Sequence, residues 1–447
     1  MTQEELVKAG ELILENAQRK KVEAEAYLLY NRELTIEVAK GAVETLKEAE
    51  EMGAGIRVIT GGRVGFAYST GMDSQTLDQV LDQAIASAKF TASDENNVMP
   101  EAQERYPELD VYDAELRRVN IEEKIEMARQ MESAALAYDR RITVIEKAAY
   151  EDAEFAVAVF NTNGIKTFGR GAFCTLYAYL VAEEEGDAQT GFGYAAARRT
   201  RDLQPALVGR EAASNAVRML GARKITSRSV PCVLEPYVVA SFLGTLVNSV
   251  NADSVQKGKS FLSGKVGQKV ATPDFTLIDD GTMPQGTSSF PFDGEGVAAQ
   301  RTVLIDNGVL KGFLYDTYTA SKAKTKSSGN GVRGSFRSLP GVGITNFFIQ
   351  PGTQPPDRLV KEVSQGLLVT EVMGIHTANP ISGDFSVGAA GILIENGELT
   401  RPVRGITIAG NLQDFLQGVE GVGDDLRFFG GVGAPTLRVK GLSIAGE

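Results

Sequence analysis

Histidine is almost missing from this sequence: His376 stands alone among 447 residues. Cysteine occurs twice, at Cys174 and Cys232, and tryptophan not at all. One histidine excludes any site within the chain that needs two, such as an HExxH zinc helix or a two-histidine facial triad. Two cysteines exclude a four-cysteine zinc site and a disulfide framework. Basic residues are outnumbered, 46 Lys and Arg against 58 Asp and Glu, for a formal net charge of −12. Such a chain repels phosphate backbones unless it carries a local basic patch. The densest basic cluster, Arg198, Arg199 and Arg201, has Asp202 beside it, so no nucleic-acid partner is expected. No apolar run approaches the roughly 18–20 residues of a membrane span. The opening stretch MTQEELVKAGELILENAQRK lacks the basic start and apolar centre of a signal peptide. The expectation is a cytoplasmic protein with no membrane partner.

Glycine is plentiful but uneven. Of 48 glycines, 16 fall in residues 1–225 and 32 in residues 226–447. The first half should therefore be regular structure, and the second rich in turns and close backbone approaches. In the first half one pattern occurs twice. Thr2 with Glu5 makes a capping box, and Leu6, Ala9, Ile13 and Ala17 follow at helical spacing. An alternating strand through Leu34, Ile36 and Val38 comes next, then a hairpin turning at Gly61-Gly62, then a helix capped by Asp73 or Ser74. The order returns with a helix capped at Asn120, strands turning at Asn163-Gly164, and a closing helix from Pro205 to Gly221. After residue 227 many short strands are separated by glycines, with Asn-Gly hairpin turns in IDNG and IENGE. The fold expected is α+β. An N-terminal region holds two repeated helix/antiparallel-strand units, at 1–92 and 120–226, joined by a polar linker at 93–119. A glycine-rich C-terminal β domain, curved or barrel-like with a few helices, fills 227–447. The polar stretch from Lys322 to Ser338 reads as a mobile loop.

Chemistry candidates are sparse. His376, in GIHTANP, could serve a serine-type triad, yet no GxSxG elbow fixes a nucleophile, and a hydrogen-bonded loop histidine is the commoner case. Gly191, Gly193 and Ala196 form GxGxxA without the preceding apolar strand a dinucleotide site requires, so turn or bulge glycines are expected. The acid pairs Asp279-Asp280, Asp293 with Glu295 (in FDGEG) and Asp424-Asp425 suit a hard cation or acid–base work. Each also sits beside glycine, where solvated turn acids are common. Neither cysteine has a basic neighbour, so both read as structural thiols.

Four stretches of the second half, in order, carry a resemblance. They are QKGKSFLSGKVGQKVA, FDGEGVAAQRTVLIDNGVLKGFLYDTYTASK, SGDFSVGAAGILIENGELTRPVRGITIAGNL and APTLRVKGLSIAG. Together they resemble the TldD/PmbA family, and the first half matches that family more loosely. The resemblance implies a pairing: TldD-type subunits are zinc metallopeptidases with HExxxH on a helix and a later cysteine, whereas PmbA (TldE)-type subunits lack that site and assemble with a TldD-type partner. Such pairs act on unfolded or flexible peptides, in proteolysis and peptide maturation. Aligned on the motif that follows, the family's metal helix falls on VVASFLGTLVNSV. Its two histidine positions fall on Leu243 and Asn248, its glutamate position on Gly244, and its cysteine near Gly421. An aliphatic side chain cannot ligate zinc, an amide is a poor ligand, and glycine cannot be a general base. The resemblance thus implies a PmbA-type subunit with no catalytic residue and no cofactor of its own, the zinc being held by a TldD-type partner in a heterodimer or larger assembly. Whether the chain counts as an enzyme itself stays open. Peptide contact is expected at Asp384, Phe385 and Ser386 in GDFS, and at Asn396 and Arg401 around IENGELTRP. Two alternatives stand beside this: a self-sufficient hydrolase using His376 or the FDGEG acids, and a peptide-binding homodimer.

Overall fold

The structure is a computed structural model describing residues 3–446. Thr2, half of the expected first capping box, lies outside the described residues. Helix α1 (Gln3–Lys20) turns Leu6, Ala9, Ile13 and Ala17 inward. Strands β1 (Glu23–Ala39), β2 (Ala42–Thr60) and β3 (Arg63–Ser69) follow, then α2 (Ser74–Ala88). The order repeats as α3 (Ile121–Leu136), β4 (Ile142–Asn161), β5 (Lys166–Glu184), β6 (Asp187–Ala197) and α4 (Pro205–Val217). Local chemistry sets the helix starts. The Asp73 carboxylate accepts from the Thr76 N–H, the Asn120 side chain accepts from the Glu122 N–H, and Pro205 occupies the first turn of α4.

The two units share one sheet. β1 pairs antiparallel with β4 from Glu25–Asn161 to Val38–Ala148, giving the strand order β3-β2-β1-β4-β5-β6. Even-numbered residues of β1 serve both helical cores: Ala24, Ala26 and Leu28 pack with α1 and α2, and Leu34, Ile36 and Val38 with α3 and α4. Alternation places all of them on one face. The opposite face presents Tyr27, Val157 and Val159 to Phe292 and Phe336 of the C-terminal half. The 93–119 segment forms no helix or strand, yet it is held down: the Tyr106 hydroxyl donates to the Gly296 carbonyl (2.8 Å) and Val111 is buried.

The GxGxxA glycines are neither turn nor bulge residues. They lie within β6 where α4 presses on it, and a Cβ on Gly191 would sit 2.0 Å from the Ala212 carbonyl oxygen. Backbone cannot yield as a flexible side chain can. Gly191→Ala is therefore expected to destabilise the protein by roughly 1–3 kcal/mol. A lowered midpoint in thermal unfolding checks this, and an unchanged midpoint contradicts it.

The C-terminal half starts with β7 (Arg228–Leu234), α5 (Pro236–Val250) and α6 (Ala252–Gln256). Short strands follow: β8 (Leu277–Asp280), β9 (Arg301–Asp306) and β10 (Val309–Leu310), then α7 (Thr317–Ala323), β11 (Gly331–Val332), β12 (Gly341–Val342) and β13 (Phe347–Ile349). The last third holds α8 (Pro356–Lys361), β14 (Gln365–Met373), β15 (Asp384–Glu395), β16 (Glu398–Asn411), α9 (Leu412–Gln417), β17 (Val419–Val422), β18 (Arg427–Phe429), β19 (Val432–Ala434) and β20 (Leu437–Ala445). Strands run β16-β15-β14-β7-β20, and β16 pairs back onto β20, so five strands close into a barrel. A second sheet runs β10-β9-β8-β13-β19-β18. Helix α5 joins both in one core, with Phe242, Leu243 and Leu246 buried among barrel and sheet side chains. This is the expected α+β architecture, with the C-terminal β domain resolved into a closed barrel and a companion sheet. No described helix is long and apolar enough to cross a membrane.

The 322–338 stretch is seated rather than loose. Lys322 belongs to α7, Asn330 and Arg333 are buried, and Phe336 is fully enclosed against the N-terminal sheet. Its polar composition hid these anchors because their partners lie far away in sequence.

Candidate functional site

Helix α5 begins at Pro236 after an extended Glu235 and carries apolar residues at helical spacing. Phe242 stacks on Phe415 (centroids 5.2 Å apart, planes 17° apart) and meets Phe385 edge-on at 5.0 Å. Leu243 is buried in the same core. Gly244 and Asn248 face outward, and a Cβ on Gly244 would meet nothing within 4 Å. The later position, Gly421, is buried in β17, where a Cβ would press on Leu359 at 2.6 Å. These residues do not fit a zinc ion. One is buried hydrocarbon, two have no side chain, one offers only an amide, and no group of three or more His, Cys, Asp or Glu gathers among the described residues.

GDFS meets the middle of α5 through Phe385 on Phe242, and the loop before it meets the C-terminal part, where the Ser249 hydroxyl donates to the Pro380 carbonyl (3.4 Å). Asp384 is exposed. Its carboxylate accepts from the Asn411 amide (2.8 Å) and the Ser382 hydroxyl (2.7 Å), which hold it below the usual carboxylate range. Phe385 is buried and belongs to the core, while Ser386 is exposed. Asn396 and Arg401 are also exposed, but at the far end of the β15–β16 hairpin, where Asn396 takes a positive φ in its tight turn. About 30 Å of strand separates the two groups, so the structure does not bring the five expected contact residues together. From Gly388 onward β15 is paired on both sides, to β14 and β16, leaving no open edge there. His376 is exposed on a 3-10 turn (Ile375–Thr377) in the same loop as GDFS.

The acid pairs are braces. Asp279 accepts from the Asn330 amide (2.8 Å) and from the backbone N–H and hydroxyl of Thr345 (both 2.7 Å), and burial raises its pKa. Asp293 accepts from three backbone N–H groups, of Glu295, Val297 and Gly331. Burial and the nearby Glu295 charge outweigh those bonds and push its carboxyl above the ordinary range. Glu295 is fully buried and binds Arg57 (3.0 Å) and the Thr317 N–H (2.8 Å). Asp425 accepts from the Thr436 N–H (2.9 Å) and hydroxyl (2.7 Å). The FDGEG acids are therefore structural groups, Glu295 buried and Asp293 half-buried with its carboxylate bonded to backbone, not solvated turn acids. Burial likewise pushes the Cys174 and Cys232 thiols up to about 12, consistent with structural roles.

A concave site absent from the sequence reading opens at the other end of α5. It is a cleft of about 530 Å³ between β5, β6 and α4 on one side and β7, α5, α8 and β18 on the other. Rings of Tyr179, Phe192, Tyr237, Phe429 and Tyr194 form one continuous wall, with successive centroids 4.7, 5.3, 5.1 and 5.9 Å apart. Arg218 forms a two-pronged pair with Glu235 (2.6 and 2.7 Å), and Arg427 does the same with Glu211. The β14–β15 register slips between Val369 and Glu371. That bulge lets both Thr370 and Glu371 line the cleft. Glu371 has no described partner, and burial alone raises its pKa. Two local signals were legible in the sequence: alternating Phe192 and Tyr194 among glycines, and one acid inside the apolar run GLLVTEVM.

Comparison with known proteins gives the family and the fold. Family models described as PmbA/TldA metallopeptidase domain 1, central domain and C-terminal domain match residues 24–88, 114–220 and 227–446. A metalloprotease PmbA of Escherichia coli O157:H7 is 30% identical, covering 99% of this chain and 96% of that protein. A TldD homolog of Haemophilus influenzae is 28% identical, covering 89% of this chain and 87% of its own length. The crystal structure of TldE from Thermococcus kodakarensis superposes with a TM-score of 0.91 at 26% identity, covering 98% of this chain and all (100%) of that one.

Proposed function

The chain belongs to the PmbA/TldD metallopeptidase family, and from that premise we propose that it is the zinc-free subunit of a two-component peptidase. The observation that carries this is α5. Where the family resemblance puts a histidine, a glutamate and a histidine, this helix has Leu243, Gly244 and Asn248, and Leu243 is committed to the core. A hydrolytic zinc needs three protein ligands and an open position for water, and this helix supplies none of the three. The catalytic ion and the general base then come from a TldD-type partner. This chain contributes scaffold and peptide contact, at the exposed Asp384 and Ser386 beside α5 and at Asn396 and Arg401 on the distant hairpin. Flexible peptides in the cytoplasm are its substrates in that role.

Mixing the purified chain with a TldD-type subunit from the same genome is expected to give one larger species in size-exclusion chromatography with light scattering. Independent elution of the two chains at micromolar concentration would argue for the homodimer instead.

A further inference from the structure

The cleft at the start of α5 has the character of a site for a cation. Its two arginines are spent: Arg218 on Glu235, and Arg427 on Glu211. What remains facing the cleft is negative, with Glu371 half-buried and without a hydrogen-bond or ion-pair partner among the described residues, and Asp357 exposed at the rim. The aromatic wall already carries one cation, since the guanidinium of Arg427 lies 5.1 Å from the Phe429 ring centroid. Ring faces attract cations, more strongly when water is displaced. A neutral apolar ligand would leave Glu371 desolvated without compensation, and an anion would be repelled by it. A cation on an apolar stem meets both demands, laying its stem along Phe192 and Tyr237 and its charge toward Glu371.

We propose that this cleft binds a lysine or arginine side chain of a peptide. The proposal rests on the peptide reading above for the nature of the occupant, while the cation preference stands on the cleft alone. Tyr237 lies in the first turn of the same helix that bears Gly244 and Asn248, so a peptide seated in the cleft would run toward that exposed stripe.

The test uses the full chain and fluorescein-labelled alanine peptides with one central lysine, glutamine or glutamate, read by anisotropy. The lysine peptide is expected to bind about tenfold tighter than the glutamine peptide, and the glutamate peptide weakest. Glu371→Gln should erase the lysine preference, and Tyr237→Ala should weaken lysine-peptide binding several-fold, with thermal midpoints of both variants showing that they fold. Equal binding of the three peptides, or a preference unchanged in Glu371→Gln, would overturn the proposal. So would spermidine binding without lysine-peptide binding, which would make the cleft a polyamine site. Binding is read on this chain alone, so its failure would leave the co-elution result standing, and failed co-elution would leave the cleft intact.

Discussion

Arg333→Ala is expected to destabilise the protein by about 3–5 kcal/mol, the usual cost of stranding a buried charge. Arg333 and Glu25 are both buried and paired, and Arg57 bridges Glu25 (2.8 Å) to Glu295 (3.0 Å). Two guanidinium groups and two carboxylates thus pair off, with the carboxyls of Asp293 and Asp316 close to Glu295. Arg333 also donates to the carbonyls of Gly294 (2.7 Å) and Ser338 (2.8 Å), and lies 5.0 Å from the Tyr27 ring centroid. Truncating it leaves an unbalanced buried carboxylate and removes the donor from two half-buried carbonyls. The set links β1 and β2 of the N-terminal sheet to the FDGEG turn and the 322–338 segment, so its loss should also loosen that segment. Urea denaturation at neutral pH checks the magnitude. Faster proteolysis within 322–338 checks the location. Replacing Glu25 and Arg333 together by methionine should recover much of the loss, because the whole pair departs and no charge is stranded. A cost below about 1 kcal/mol for the single variant would show the set to be solvated.

How much of this was legible in the sequence depended on range. Caps at Asp73 and Asn120, the proline start of α4, and the hairpin turns are local chemistry, and they read correctly. The pairing of β1 with β4 joins residues more than a hundred positions apart and has no local signature. The FDGEG acids illustrate the limit. Their turn was legible, since the Asp293 carboxylate does accept from the Glu295 N–H. The burial of Glu295 was not, because its partner Arg57 lies two domains away in sequence. Arg333 and Phe336 looked like loop residues for the same reason. The cleft draws its rings from three separate stretches and its acid from a bulge, so no window of sequence contains it. By contrast, the scarcity of histidine was visible at once, and it limits the chemistry of the chain more than any fold detail does.

The largest functional effect expected is all-or-none. With Leu243 in the core, Gly244 lacking a side chain and Asn248 offering an amide, α5 cannot hold a hydrolytic zinc. His376, exposed in a loop, cannot assemble one alone. Restoring a single ligand would not help, since Leu243→His would bury an imidazole in the apolar core at a cost of several kcal/mol. Zinc content by mass spectrometry and cleavage of an unfolded peptide, measured on the chain alone and after adding a TldD-type subunit, test the zinc-free assignment most directly. The chain alone is predicted to hold no stoichiometric zinc and to cleave nothing, with cleavage appearing only in the mixture. Stoichiometric zinc together with peptide cleavage by the isolated chain would contradict it.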